Sequence, residues 1–284
     1  NNKLRVGVAQ VLARAPMADM NAGFGFGFDQ QNLIFTGGGG NPNLKPFKTW
    51  QYDLSYEHYF GEGAYVSVAG FYKQITSFPF SSSETYDFAE VLGPLGEDLT
   101  FVDGDGNEFT LSTIGRRDFK DNVDGGKIYG IELSGSLPFA NFSEALDGFG
   151  ILGSASFTKS SIDPNSQEKI TLPGLSKTVL NGTIYYEKYG FQARASVRHR
   201  SSFLGEVSAL SLTRVKVDVE AETIVDAQLG YDLSEVGVDG LTVLFQVNNL
   251  TNQPFTTFYN SDSRQVRDFQ NYGRTFLFGL NYKF

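Results

Sequence analysis

Residues 273–284 read GRTFLFGLNYKF, and this stretch decides the fold. Taken in twos, Phe276, Phe278, Leu280, Tyr282 and Phe284 fall on one face, while Thr275, Gly279, Asn281 and Lys283 fall on the other with Leu277 the one apolar intruder. Strict alternation specifies a β-strand with one apolar and one polar face. A strand of a soluble domain needs about five or six residues, whereas a tilted strand crossing a bilayer uses about 9–11. The stretch reads as a membrane-spanning strand.

Working outward, the pattern recurs about ten times along the chain. Leu4, Val6, Val8 and Leu12 alternate first, then Trp50, Tyr52, Leu54, Tyr56 and Phe60 with Gln51, Asp53, Ser55 and Glu57 opposite. A third segment runs near Ala64 to Ile75 with both faces mixed, and Tyr129, Ile131, Leu133 and Leu137 form the fourth. The fifth to seventh are carried by Phe149, Ile151, Ala155 and Phe157, by Leu180, Ile184 and Tyr186, and by Phe191, Ala193, Ala195 and Val197. Val225 to Leu233 and Leu241 to Val247 complete the set before the terminal stretch. Charged and amide side chains recur on the second face, which therefore reads as wet. Polar inside and apolar outside is the pattern of a membrane barrel.

Connections alternate in length. Short turns lie at Gly61-Glu62-Gly63, around Lys188-Tyr189-Gly190 and near Glu235 to Gly240; longer segments occupy roughly 14–47, 77–125, 159–173, 202–221 and 252–272. Short turns on one side and long loops on the other is the barrel asymmetry. Tyr59 and Phe60, Phe71 and Tyr72, and Tyr185 and Tyr186 sit at strand ends, as interfacial girdles require. A large soluble β-sandwich or propeller is the competing architecture.

Composition agrees. The 284 residues include 32 glycines, 14% aromatic residues and no cysteine, with a net charge of −9. Mean hydropathy is −0.22, and no run approaches the roughly 18 apolar residues of a transmembrane helix. A membrane location therefore implies a closed sheet, because only helices and closed sheets satisfy the backbone in lipid. The acidic balance excludes a nucleic-acid partner. The chain opens at Asn1-Asn2-Lys3 and enters a strand at once, without a charged n-region or apolar h-region, so the expectation is a fragment of a longer exported protein.

Several motifs resemble one family. Gly40-Asn41-Pro42-Asn43-Leu44-Lys45-Pro46, then Tyr52-Asp53-Leu54 and Glu57-His58-Tyr59-Phe60, resemble a signature of TonB-dependent outer-membrane receptors. So do Val66 to Lys73, Asn248-Asn249-Leu250-Thr251-Asn252-Gln253-Pro254-Phe255, and Tyr272-Gly273-Arg274 leading into the last strand. The ending on Phe284 resembles the terminal strand through which Gram-negative barrels meet the assembly machinery. The resemblance covers nearly the whole chain in order and is closest to the proteobacterial branch that includes carbohydrate receptors. It implies an all-β transmembrane antiparallel barrel, of which residues 1–284 would be the C-terminal portion of about 22 strands, without the plug domain. It further implies the outer membrane of a Gram-negative bacterium, the lipid bilayer and TonB as partners, and uptake of a small-molecule or oligosaccharide ligand, carbohydrate ahead of ferric siderophore. No resident cofactor or metal is implied. A self-contained ten-stranded pore or structural barrel is the alternative.

Residue by residue, Pro42 and Pro46 are expected to hold the chain extended as a rigid base delivering Asn41 and its neighbours into the second strand. Asn248, Asn249 and Asn252 suit unusual backbone angles and capping. Substrate contacts are expected on Arg116 and Arg117, with Phe78, Phe80 and Tyr86, in one long loop, on Phe258, Tyr259, Arg264, Arg267 and Phe269 in the last, and on Arg198 beside Arg194 and Arg200 on the lumen wall. Aromatic faces stack on sugars, and arginines grip carboxylates or anionic chelates bidentately. The plainer reading pairs these arginines with Asp118, Asp121, Asp262 and Asp268. Enzymatic chemistry has weak support: His58 and His199 are the two histidines, and a hydrolase on His199 with Ser201 and Ser202 conflicts with the apolar register of His199. Asp103-Gly104-Asp105-Gly106-Asn107 departs from a calcium loop at its sixth place, Glu108, and reads as a hairpin turn. Gly37 to Gly40 reads as flexible loop. Deleting Phe284 is expected to lower outer-membrane levels more than any single loop change; unchanged levels in fractionated membranes would count against the terminal-strand reading.

Overall fold

A computed structural model describes residues 1–30, 32–96, 99–102, 106, 108–123, 125–162, 171–208 and 214–283. Ten strands build its wall: β1 (Asn2–Ala13), β2 (Phe47–Phe60), β3 (Ala64–Asp87), β4 (Gly126–Pro138), β5 (Phe149–Ile162), β6 (Thr178–Lys188), β7 (Phe191–Arg200), β8 (Glu222–Asp232), β9 (Leu241–Asn248) and β10 (Thr275–Tyr282). Each pairs antiparallel with the next in sequence. Among the described residues β1 pairs only with β2 and β10 only with β9, so the meander is open at both edges and does not close on itself as a ten-stranded barrel. No helix is long and apolar enough to cross a membrane.

The register aligns the apolar positions across the ladder. Leu54, Gly70, Ile131 and Phe157 lie side by side, as do Ile151, Ile184, Ala195 and Ala227. Nothing described covers this face: Val6 is 73% exposed, Ile131 55% and Phe278 73%. A soluble sandwich would bury such a face against a second layer; here the buried clusters gather at the long-connection end, around Phe88 and around Ile75 with Ile162. An uncovered apolar face of this extent marks a membrane or protein contact. The opposite face carries Arg194 paired with Glu187 and Arg5 paired with Glu57.

Turn chemistry divides the two ends. At the short end Tyr189 and Gly190 both take positive φ, 53° and 71°, between the paired Lys188 and Phe191, which makes the two-residue turn that matches strand twist. Asn141 ties two short connections together, accepting from the Glu62 amide at 2.8 Å and donating to Glu62 O at 3.0 Å and Pro138 O at 3.1 Å.

The long end departs from the expectation in two places. The segment taken as loop from residue 77 begins as strand: β3 continues to Asp87, and its upper half pairs with the strand Ile114–Val123. Gly37 to Gly40, read as flexible loop, belongs mostly to the strand Ile34–Gly39, which pairs with Phe24–Asp29 on one side and with Ile114–Val123 on the other. Glycine is needed there because a Cβ on Gly38 would meet Asp118 O at 2.2 Å. Two small cores support this end. Phe35, Phe88 and Leu99 are buried with Phe28, Tyr86, Leu92 and Leu111 against them; Ile75 and Ile162 gather Phe47, Phe78, Phe80, Ile128 and Leu172.

The asparagine motifs lock the wall to these connections. Asn249 (φ 54°) and Asn252 (φ 55°) take left-handed backbone. The Asn249 side chain accepts from the Gln253 amide at 2.8 Å and donates to Gln253 O and Gly273 O, each at 3.1 Å, so the ends of β9 and β10 are joined through one amide. Asn248 accepts from Gln246 at 2.7 Å and keeps strand geometry opposite Thr275. Replacing Asn249 with Ala strands partly buried backbone groups, and the expected loss is about 2 kcal/mol. Denaturant unfolding of the variant checks this; a loss below about 0.5 kcal/mol, the scale of an ordinary surface change, would contradict it.

Candidate functional site

The long connections bring together one arginine and several rings. Arg117 lies on the strand Ile114–Val123, opposite Glu84 of β3, and its guanidinium reaches Glu84 at 3.3 Å. Its carbon centre stands 5.2 Å from the Tyr86 ring, 5.3 Å from Phe119 and 5.9 Å from Phe24. Aromatic faces attract a cation at these distances. Its buried Nε has no hydrogen-bond partner among the described residues. Phe24 (39% exposed) and Phe26 (48%) present ring surface to solvent beside it. Phe88 underlies both, 6.2 and 6.3 Å from their centroids. The cage thus combines a guanidinium paired with Glu84 and exposed ring faces.

Arg116, on the other side of the same strand, pairs with Asp118 at 2.7 Å, as the plainer reading expects. Phe78 and Phe80 pack on Ile75 and Ile162 and Tyr86 packs on Phe88, which makes them structural supports. Phe24, Glu84 and Phe119 were missing from the candidate set. The Phe24-Gly25-Phe26-Gly27-Phe28 alternation was the signal for Phe24; the pairing of β3 with Ile114–Val123 has none.

The last connection behaves differently. Phe258 and Tyr259 lie half-buried in the strand Phe255–Tyr259, which belongs to a four-stranded sheet with Phe203–Ser208, Arg214–Val219 and Val266–Gln270. Arg264 closes on Asp262 through Nε at 2.9 Å and Nη2 at 2.8 Å, and that pairing holds the Asp262 carboxyl below its ordinary range. Arg267 lies 3.7 Å from Asp268 and 5.9 Å from the Tyr259 ring. Both arginines are committed to local carboxylates. Phe269 is exposed. Arg198 stays exposed on the polar face, while Arg200 pairs with Glu222 at 3.1 Å.

At the base of the first long connection the proline expectation is half met. Asn41 O accepts from the Leu44 amide at 3.2 Å, so Asn41-Pro42-Asn43-Leu44 is a turn with Pro42 at its second position and not an extended run. Proline fits because its fixed φ is the one a turn needs there. Below it, Asn122 clamps Lys45 by two hydrogen bonds, 2.7 and 3.0 Å, and Pro46 leads directly into β2. Asn41 also donates to Lys120 O at 3.1 Å. The hydrogen bonds that hold the chain entering β2 come from Asn41 and Asn122 more than from the prolines.

No hydrolase dyad forms among the described residues. His199 bonds Thr223 at 2.8 Å, and the Ser201 hydroxyl accepts from the Thr178 amide at 3.1 Å. His58 bonds Asn2 at 2.6 Å and stacks on Phe60. The strands Thr100–Val102 and Glu108–Thr110 pair as a hairpin; residues 103–105 and 107 of the calcium reading, like Phe284, lie outside the described residues. Among those described, no group of His, Cys, Asp or Glu is placed to hold a metal ion.

Comparison with known proteins matches this architecture. The family model described as TonB dependent receptor-like, beta-barrel matches residues 1–250. No curated protein matches the chain. Among solved structures, a mutant of the ferric enterobactin receptor PfeA from Pseudomonas aeruginosa superposes with a TM-score of 0.63 at 16% identity, over 100% of this chain and 38% of that one. The siderophore receptor PirA from Acinetobacter baumannii gives 0.62 at 16%, over 100% and 39%. The ferric-catecholate import receptor Fiu from Escherichia coli K12 gives 0.57 at 15%, over 100% and 33%. The chain therefore spans less than half the length of the receptors it resembles. Ten sequentially paired strands, uncovered apolar positions and a family match over most of the sequence lead to one assignment: the chain belongs to the TonB-dependent receptor β-barrel family.

Proposed function

We propose that this chain is part of the wall of a Gram-negative outer-membrane receptor that imports a ferric siderophore, energised by TonB through a plug domain. In this reading residues 1–284 form one barrel portion. Its apolar face meets lipid, its polar face lines the lumen, and its terminal strand engages the barrel assembly machinery. The Arg117 cage carries the choice of ligand. A guanidinium held between three rings and one carboxylate retains N–H donors for an anionic chelate, and the neighbouring Phe24 and Phe26 faces suit aromatic groups of that ligand. The receptors compared are siderophore receptors by their descriptions, which supports the same class. Carbohydrate, the first expectation from the sequence, has no support among them. The family and the receptors compared are transport receptors, which supports a receptor over an enzyme.

Equilibrium binding to the full-length receptor tests this. Ferric siderophores are expected to bind, and Arg117→Ala to weaken them about 30-fold, the scale of a partly desolvated anchor. Arg117→Lys is expected to recover little, since an ammonium lacks the planar fork. Binding of neutral oligosaccharides with no response to ferric siderophores would overturn the ligand assignment.

A further inference from the structure

A second cation cluster lies apart from the Arg117 cage. Alternation along β4 places Lys127 on the face of Tyr129, Ile131 and Leu133; alternation along β5 places Lys159 on the face of Phe157 and Ile151. Both are exposed on the apolar side of the wall, where a charge has no place unless it meets water or an anion. Their level is marked by register. Tyr52, Tyr72 and Tyr129 are cross-strand neighbours in one row, and Lys159 is the next member of that row. One step toward the long connections, Trp50, Gln74, Lys127 and Ser161 form the next row. Aromatic rings at a wall's edge mark the membrane–water interface, so both ammonium groups stand at head-group height on the long-loop side.

These lysines are not isolated. With Lys177, whose carbonyl accepts from the Thr158 amide at 2.9 Å, they border a cavity of about 640 Å³ that hydroxyls of Ser160, Ser161, Thr171 and Ser202 also line. Among the described residues its one acidic lining residue is Asp218, which accepts a hydrogen bond from Ser261. Among the described residues Lys127, Lys159 and Lys177 have no carboxylate partner, whereas Lys120 pairs with Asp19 and Lys188 with Asp147. Among the described residues, three lysines without a carboxylate partner border one cavity in a chain of net charge −9.

We propose that this cavity holds the phosphate groups of an anionic lipid head group in the leaflet facing the long loops. Phosphate oxygens take several N–H and O–H donors at once, and each surface lysine adds to anionic-lipid affinity. The apolar rows below the cavity accommodate the acyl chains of the same molecule. The proposal rests on the membrane setting proposed above but not on the transported ligand.

The test uses the full-length receptor in mild detergent. Retention of a bisphosphorylated glycolipid is measured by native mass spectrometry, beside its dephosphorylated form and inorganic phosphate as competitor. Retention of the phosphorylated lipid is expected to fall on the order of 100-fold in Lys127→Gln/Lys159→Gln/Lys177→Gln and about fivefold in each single variant. Lys73→Gln, on the polar face, is expected to change nothing. Equal retention by wild type and the triple variant would overturn the proposal, as would equal retention of the dephosphorylated lipid. Full competition by inorganic phosphate at equal concentration would reassign the site to a soluble anion. Single variants keep the test readable should the triple variant fail to assemble. Reconstitution of the wild type into bilayers, and its siderophore binding, separate a failure here from a failure of the membrane or ligand reading.

Discussion

Everything in this molecule depends on backbone pairing between strands that are neighbours in sequence. Each wall strand supplies the amides and carbonyls that the next requires, from β1 to β10, so one face can remain apolar and uncovered without leaving polar groups unmet. In hydrocarbon that condition is decisive, because an unpaired peptide group there costs several kcal/mol, and few architectures meet it. The same condition explains why the two edges matter. An open ladder leaves a row of donors and acceptors on β1 and β10, and edges of that length call for further strands.

Stability is distributed unlike that of a soluble domain. The wall holds mainly ladder hydrogen bonds and cross-strand contacts, and its buried residues are few. The side-chain cores lie instead at the long-connection end, around Phe88 and around Ile75 with Ile162. Asparagines join the two regimes. Asn249 ties the last strands together, Asn122 with Asn41 anchors the entry to β2, and Asn141 links the short turns at the opposite end. Each does with one side chain what a turn of regular structure does elsewhere, which leaves the loops free to carry recognition. In the proposed setting, the long connections meet the ligand on one side while lysines at the wall's rim meet lipid on the other.

The wall was legible in the sequence because its signal is local. A period of two needs only neighbours along the chain, and all ten wall strands appear where the alternation places them. Turn residues were equally readable: Asn249 and Asn252 take the positive φ their side chains allow. The site was less legible because its contacts are distant in sequence. Arg117 was visible as a candidate, yet Glu84 reaches it through the pairing of β3 with Ile114–Val123 and Phe24 through the strand Ile34–Gly39 between them, and mixed apolar and polar runs in Ser77 to Asp87 hid the first of these pairings. Arg264 and Arg267 looked alike as ligand contacts, but each sits within reach of a nearby aspartate. Pro42 was read as an extension signal because the preceding turn depends on a hydrogen bond from Leu44, which composition does not reveal.

The central claim is that the odd-numbered register of β4 faces lipid and the even-numbered register faces water. The chain contains no cysteine, so spin labels on single cysteines placed one at a time from position 129 to 137 report each site separately in reconstituted bilayers. Collision with oxygen, which partitions into lipid, and with a water-soluble nickel chelate is measured at every position. The account predicts alternation with a period of two, with oxygen favoured at 129, 131, 133, 135 and 137 and the chelate favoured between them. Uniform chelate access, or alternation in the opposite phase, would contradict the membrane-wall assignment at its root.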